Sequence, residues 1–454
     1  MGHLSDIAGS LWWMVVTLGL LVTFHEFGHF VVARRCGVRV LKFSVGFGRA
    51  LWSRIGRDGT EYVIAMIPLG GYVKMLDARE GEVTPSQRSQ EFTGKPIWQR
   101  IAIVLAGPIF NLLFAVAAFW AMLVIGKPDY LPLIGHTSGL AADAHLQRGD
   151  RVLSVGDESI ANWTDLGLAL SDAAQSHKPT PLRVRGADGD VHTRILHFEK
   201  LPAHSSETAQ IDRIGLTPQQ RALPPVIGKL MPGSAAVAAG LQAGDRVLAI
   251  GGTPIHDWND LSDAVHAQAV ANHPLTVQLQ RHGKPLTIAL QPQQTTLADG
   301  SREYAIGVYP QEAEANYDTV LRRGPLAAIP DAFAQTWDLT ARTVQMLGDM
   351  LTGSASLKNI SGPISIAQYA NASAGMGPAW FIYFLGIISL SLGIMNLLPI
   401  PILDGGHLLY YVIELVKGSP LSERAMAAGQ YAGMALLVAL MGLAFYNDIL
   451  RLVS

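Results

Sequence analysis

The sequence holds a single cysteine, Cys36, in 454 residues, so it can form neither an intrachain disulfide nor a cysteine-rich zinc cluster. Any metal must be held by histidine and carboxylate. Charge is scarce too: Asp, Glu, Lys and Arg are 15% of the chain and balance to −2, which offers nucleic acid no basic surface. No Lys or Arg precedes Leu11, where the first long apolar run begins, which argues against a cleavable signal peptide. What the chain has in abundance is apolar surface. Hydrophobic residues make up 49% and mean hydropathy is +0.25, a membrane protein's balance diluted by large polar segments. The length calls for several domains.

Four stretches satisfy the requirement of roughly 20 apolar residues for a helical span: Leu11 to Ala33, Ile101 to Ile125, Ala379 to Ile400 and Ala425 to Tyr446. Trp12, Trp13, Trp98, Trp120, Trp380 and Tyr446 lie near their ends, as interfacial anchors do. Arg34, Arg35, Arg39, Lys42, Arg49, Arg54 and Arg57 follow the first span. The positive-inside rule then predicts residues 34–97 and 401–424 on the cytoplasmic side, with both termini and residues 126–377 outside.

Within the first span stands His25-Glu26-Phe27-Gly28-His29. On a helix, residues four apart share a face, so both imidazoles can reach one Zn2+ with Glu26 beside it as general base. Ionisable groups at membrane depth are rare and face an interior or a wet cavity. The placement predicts a hydrolytic metal site inside the membrane. A tetrahedral site with one position left for water needs a third protein ligand. Asp404 is the best candidate. It follows Pro399 and Pro401, which cannot continue a helix and leave irregular backbone able to aim a carboxylate sideways. Capping of the next helix is the other reading of Asp404.

The long outer segment is duplicated. Leu146-Gln-Arg-Gly-Asp-Arg-Val-Leu153 recurs as Leu241-Gln-Ala-Gly-Asp-Arg-Val-Leu248, and Trp163-Thr-Asp-Leu166 recurs as Trp258-Asn-Asp-Leu261, both at an offset of 95. Two tandem modules of short strands and turns, each with a helix after its Trp, are predicted. They resemble PDZ domains of bacterial proteases. The first copy lacks the Pro-Gly-Ser that precedes the small-residue helix in the second, so its groove is expected to be altered or closed. PDZ folds offer a sheet edge that an extended peptide can join, so a peptide or protein partner is expected, against the bland reading of two structural domains.

Together, HEFGH in the first span, GPIFN (Gly107 to Asn111) in the second, the tandem modules and NLLPIPILDGGH before the fourth resemble the site-2 protease family of intramembrane zinc metalloproteases, in its regulator of sigma-E protease branch. The resemblance covers essentially the whole chain. It implies one Zn2+ held by His25, His29 and Asp404, with Glu26 as catalytic base and Asn396 as a polar contact to substrate. An interhelical hydrogen bond is nearly as good a reading of Asn396, and the better one for Asn111. Residues 61–76 read as two short strands around Pro68-Leu-Gly-Gly71. By resemblance they form a hairpin dipping into the membrane, whose edge, at Gly70, Gly71 and Tyr72, pairs with an extended substrate. A small cytoplasmic sheet without substrate contact is the alternative. Gly362 to Ala367 matches a family segment to which the residues assign no chemistry.

The predicted architecture is therefore a polytopic α-helical membrane protein with four transmembrane helices, a membrane-associated β-hairpin region and two tandem extracytoplasmic PDZ (mixed α+β) domains. Its segments are 1–33, first transmembrane helix; 34–97, β region; 98–125, second helix; 126–221 and 222–310, the PDZ copies; 311–377, an amphipathic helix and loop; 378–404, third helix and LDG motif; 405–424, cytoplasmic connection; and 425–454, fourth helix. In the amphipathic helix, Phe333, Trp337, Val344, Leu347 and Leu351 form a stripe read as packing rather than membrane-surface binding. The resemblance implies a bacterial inner-membrane enzyme that cuts single-span membrane proteins already shortened on the periplasmic side, such as an anti-sigma-E factor, and also remnant signal peptides. Two other classes stand beside it. A zinc-binding transporter or sensor needs a polar path through several spans, where the second offers only Asn111. A membrane-tethered PDZ scaffold predicts a missing pentad or aspartate.

Overall fold

The computed structural model describes residues 2–453 apart from 80, 82, 203–212, 220–222, 271–273, 297–301, 312–316, 354–355 and 357–359. The expected boundary between the two copies, at 221/222, lies outside the described residues. The chain forms two compact units: one from Met1–Lys127, Leu321–Gly353 and Ile360–Ile449, the other chiefly from Pro128–Val320.

The first unit is built on helices α1 (Gly2–Arg35), α2 (Ile97–Ile125), α3 (Ala328–Thr352), α4 (Pro363–Gly375), α5 (Pro378–Leu397), α6 (Asp404–Lys417) and α7 (Glu423–Val453). Of these, α1, α2, α5 and α7 are long and apolar enough to cross a membrane. The predicted spans are confirmed as helices, with α5 ending at Leu397 because Pro399 follows. Residues 405–424, read as a connection, are mostly the amphipathic helix α6. Asp404 is the first residue of that helix; the N-cap is Leu403 and no side chain caps the helix, so the capping reading of Asp404 is corrected.

Small residues set how closely the spans approach, as is usual where lipid supplies no hydrophobic drive. A Cβ on Gly28, within the pentad, would stand 2.5 Å from the Ala106 carbonyl oxygen of α2. On α5, Gly386 lies under Phe119, and Gly393 lies against Asn111 and the carbonyl of Pro108. Between them the Ser389 hydroxyl donates to the Asn111 carbonyl at 2.8 Å. The segment from Gly362 also acquires a role. Buried Asp448 of α7 accepts from the backbone N–H groups of Gly362, Ile364 and Ser365 at 2.9–3.2 Å and from the Ser365 hydroxyl at 2.6 Å. It thereby satisfies the orphan donors at the start of α4.

The stripe expected on α3 splits. Leu347 packs, with Leu339, Ala328 and Ala332 from outside the stripe, into the core shared by α2 and α5, and the side chain of Leu351 lies outside those described. Phe333, Trp337 and Val344 are exposed, so this part of the packing reading is corrected. Ala328 and Ala332 let α3 lie close to its neighbours, and Phe333, Trp337 and Val344 point away from that contact.

Between α1 and α2, strands β1 (Val40–Ile55) and β2 (Glu61–Met75) pair antiparallel, and both bend. The first arm of β1 pairs with both arms of β2: Ser44 faces Tyr72 on one side and Val63 on the other. The result is a four-segment sheet in which Gly71–Met75 is an edge. The two short strands expected around Pro68 to Gly71 are these two arms of β2.

In the second unit the repeat is visible as topology. One four-stranded sheet runs in the order Glu158–Ser159, Arg151–Val155, Pro179–Arg185, Val191–His197, and another runs Thr253–Pro254, Arg246–Ile250, Leu275–Arg281, Lys284–Leu290. Each copy adds a two-stranded pair, Ile134–Thr137 with Leu216–Pro218 and Ile227–Leu230 with Val308–Pro310. Each closes its own core, around Leu166 and Leu182 in one and Leu261 and Val277 in the other. The copies differ where the sequence does. Ser234 caps the short helix Ala235–Ala238, whereas Ser138 follows its strand directly and makes no side-chain cap.

Candidate active site

The Gly28 contact turns the pentad face of α1 onto α2 at Gly107. From the opposite side, α6 delivers Asp404, its first turn held close to residues 397–401 because Gly405 and Gly406 have no Cβ to collide with that backbone. The three sequence-predicted ligands converge. His25 Nε2 lies 3.1 Å from Asp404 Oδ2, His29 Nε2 3.4 Å from the same oxygen, and the two Nε2 atoms are 3.2 Å apart. Donor atoms about 2.0–2.1 Å from a tetrahedral Zn2+ stand roughly 3.3 Å from one another. The triangle is the right size for that ion.

Two further observations fit the metal. Asp404 Oδ2 is buried yet accepts no well-aligned hydrogen bond, the state of an oxygen shaped for a cation. His29 is buried, and its Nδ1 lies 2.8 Å from the Ile103 carbonyl oxygen. Donating there, Nδ1 keeps the proton and leaves the Nε2 lone pair free.

These groups open into a cavity of about 330 Å3, lined on one side by His25, Glu26, His29, Asp404 and His407 and on another by Tyr72, Val73, Lys74 and Met75. The edge arm of β2 thus borders the site. Gly71 passes so close that a Cβ would lie 3.2 Å from Glu26 Cγ. Tyr72 lines the cavity. Gly70 is buried beneath the Phe47 ring, and Asn396, half-buried in the last turn of α5, is not among the lining residues.

His407 and Tyr411 are among the lining residues to which the sequence assigns no role. Burial, helped by Arg79, pushes the His407 imidazole below its ordinary value against the opposing pull of Asp404. Burial likewise raises Tyr411. Position three residues after Asp404 on α6 is the signal that could have found His407. Asn111 lies 3.2 Å from His25 Nδ1. The expected interhelical hydrogen bond is there, and it reaches a ligand candidate.

A second group, His136 with Asp257 and Asp260, also has metal-ligand chemistry. It joins the two copies of the second unit. The Arg148 guanidinium, however, bonds both aspartates, so an ion-pair network already engages the carboxylates a cation would need.

Comparison with known proteins settles the family. Peptidase family M50 matches residues 13–440. The chain belongs to that family, the site-2 proteases. A Xylella fastidiosa protein named "Putative zinc metalloprotease" is 48% identical over 98% of this chain and all of its own length. Protease RseP of Yersinia pestis is 42% identical over 99% of this chain and all of its own. Regulator of sigma-E protease RseP of Escherichia coli is 41% identical over 96% and 98%. The chain is a zinc metalloprotease of the site-2 type, with Zn2+ as its cofactor.

Proposed function

We propose that His25, His29 and Asp404 hold the zinc, that Glu26 is the general base, and that substrate is presented as an added strand along Gly71–Met75. The observation that carries this reading is the zinc-sized triangle of donor atoms beside Glu26 in a cavity bordered by the edge strand Gly71–Met75. A bound zinc supplies a Lewis acid that polarises the scissile carbonyl and acidifies a water. Glu26 would take a proton from the attacking water and return it to the leaving amine. A transmembrane helix hides its amides in its own hydrogen bonds. Pairing with the β2 edge replaces those bonds and exposes one peptide to the site. His407 lines the same cavity.

The test is Asp404→Ala. Two imidazoles alone make a poor site, so zinc per chain and proteolysis should fall together. Full metal content in that variant would move the third ligand elsewhere.

The substrates are single-span membrane proteins. The names of the relatives from Escherichia coli and Salmonella point to sigma-E regulation, so an anti-sigma-E factor in a bacterial inner membrane is the substrate proposed. The arginines after α1 support a cytoplasmic β1–β2 sheet. In that orientation Cys36 resists a membrane-impermeant thiol reagent in spheroplasts, while a cysteine placed at Ser234 reacts; the reverse pattern would invert the topology.

The two copies of the second unit are PDZ domains in this reading, supported by their shared strand order and by the SAAVAAGLQAGDRVLAI stretch. Their role is to restrict the protease to substrates already trimmed outside. Deleting Pro128 to Pro310, with a flexible linker inserted, should allow cleavage of an untrimmed substrate. Continued rejection by a zinc-loaded variant that still cuts trimmed substrate would place the filter in the membrane unit.

A further inference from the structure

Asn111 is wholly buried in the apolar middle of α2, where an amide without partners is costly. Its side chain reaches 3.2 Å from His25 Nδ1, and the far end of the amide, as assigned to Oδ1, meets no donor. The oxygen and nitrogen of an amide are told apart only by their partners, so chemistry must decide which one faces the imidazole.

With Nδ2 facing Nδ1, the amide donates, the imidazole accepts, and the ring proton is forced onto Nε2. That is the atom 3.1 Å from Asp404 and 3.2 Å from His29 Nε2. A proton there denies a metal the lone pair. With Oδ1 facing Nδ1, the amide accepts, Nδ1 keeps the proton, and Nε2 is free. His29 already shows the second arrangement, its Nδ1 facing the Ile103 carbonyl.

We infer that Asn111 is the positioning residue for His25: its Oδ1 accepts the Nδ1 proton and selects the tautomer that binds zinc. Ring-nitrogen acceptors of this kind orient metal-bound histidines and raise their basicity. Asn111 is itself held in place. Its backbone carbonyl accepts from Ser389, and Gly393 leaves room for its Cβ at 3.3 Å. The inference rests on the ligand set proposed above and adds a role for a residue that touches neither zinc nor substrate.

The test uses the purified full chain in detergent, with zinc affinity measured by chelator competition and site geometry by the visible spectrum of the cobalt-substituted protein. Asn111→Ala and Asn111→Leu should bind zinc roughly tenfold to a hundredfold more weakly, with an altered cobalt spectrum. Asn111→Asp, which can accept but cannot donate, should stay within a few-fold of wild type. A donating role predicts the opposite, so an aspartate variant as weak as alanine overturns the inference. So does wild-type affinity with an unchanged spectrum in the alanine and leucine variants, provided His25→Ala loses zinc. If His25→Ala keeps wild-type zinc, the ligand set fails and the inference with it. Should the alanine variant not fold, leucine, which fills the volume, and aspartate decide between them.

Discussion

Gly107→Ala is expected to strip the protein of zinc. Gly107 lies on α2 where the helix passes the pentad, and an added Cβ would stand in the space of the His29 Nε2 atom and 2.6 Å from His25 Cε1. Real Cβ atoms do not approach so closely, so a ring or a helix must move. The rings have nowhere to go without abandoning the triangle with Asp404. The helices are pinned by Gly28 against Ala106 and by Gly393 against Pro108. Moving one ligand by an ångström at a site that needs bonds of about 2.0 Å is equivalent to losing it. Zinc affinity should fall at least about a hundredfold, since outer-shell damage alone costs ten- to a hundredfold. Gly19→Ala is the matched control. It adds the same methyl to an apolar span, meets nothing within 4 Å, and should leave zinc content and activity unchanged. Chelator competition on both variants reads the difference. Wild-type zinc affinity in Gly107→Ala would mean that α2 does not pack against the pentad as described.

That prediction could not be written from the sequence, and the reason is physical. Features carried by local pattern were legible: the four apolar runs, the duplicated modules, the four-residue spacing of His25 and His29, and the proline-broken backbone before Asp404. Each is a statement about neighbours along the chain. Gly107 and Asn111 draw their importance from residues about 80 positions away, across a helix contact that only the fold creates. The same distinction bears on Asn396, on α3 and on Gly70. Asn396 sits in a motif that resembles a substrate contact, yet its position in the last turn of α5 keeps it out of the cavity lining. Residues at α3 follow a helical period, but period does not say which face meets protein. Small residues decided that, and Ala328 and Ala332 are too unremarkable in sequence to draw notice. Gly70, Gly71 and Tyr72 are adjacent in sequence but do not all share a face. Alternation along the β2 arm sends Gly70 under Phe47 while Gly71 passes Glu26.

Glu26→Gln is expected to keep zinc and lose proteolysis. The carboxylate lines the cavity beside the metal triangle, and it is bordered by the β2 edge: Gly71 passes its Cγ, and the Val73 backbone lies within hydrogen-bonding range. A substrate strand pairing with that edge would set its scissile carbonyl between Glu26 and the metal. The role proposed for Glu26 is proton transfer, out of water and into the departing amine. Glutamine has the same volume and can still hydrogen-bond to Val73, so the packing of α1 on the sheet survives. What it lacks is a basic oxygen. General-base catalysis contributes about 10²–10⁴ in rate, and here one residue serves in both directions of proton transfer, so turnover should fall by at least about 10³. His25, His29 and Asp404 are untouched, so zinc per chain should equal the wild-type value. Measuring metal content and single-turnover cleavage on the same preparation separates the two effects. Cleavage within tenfold of wild type would transfer the base to another cavity residue, with His407 the first to replace. A parallel loss of zinc would instead mean that Glu26 helps to build the metal site rather than to move protons beside it.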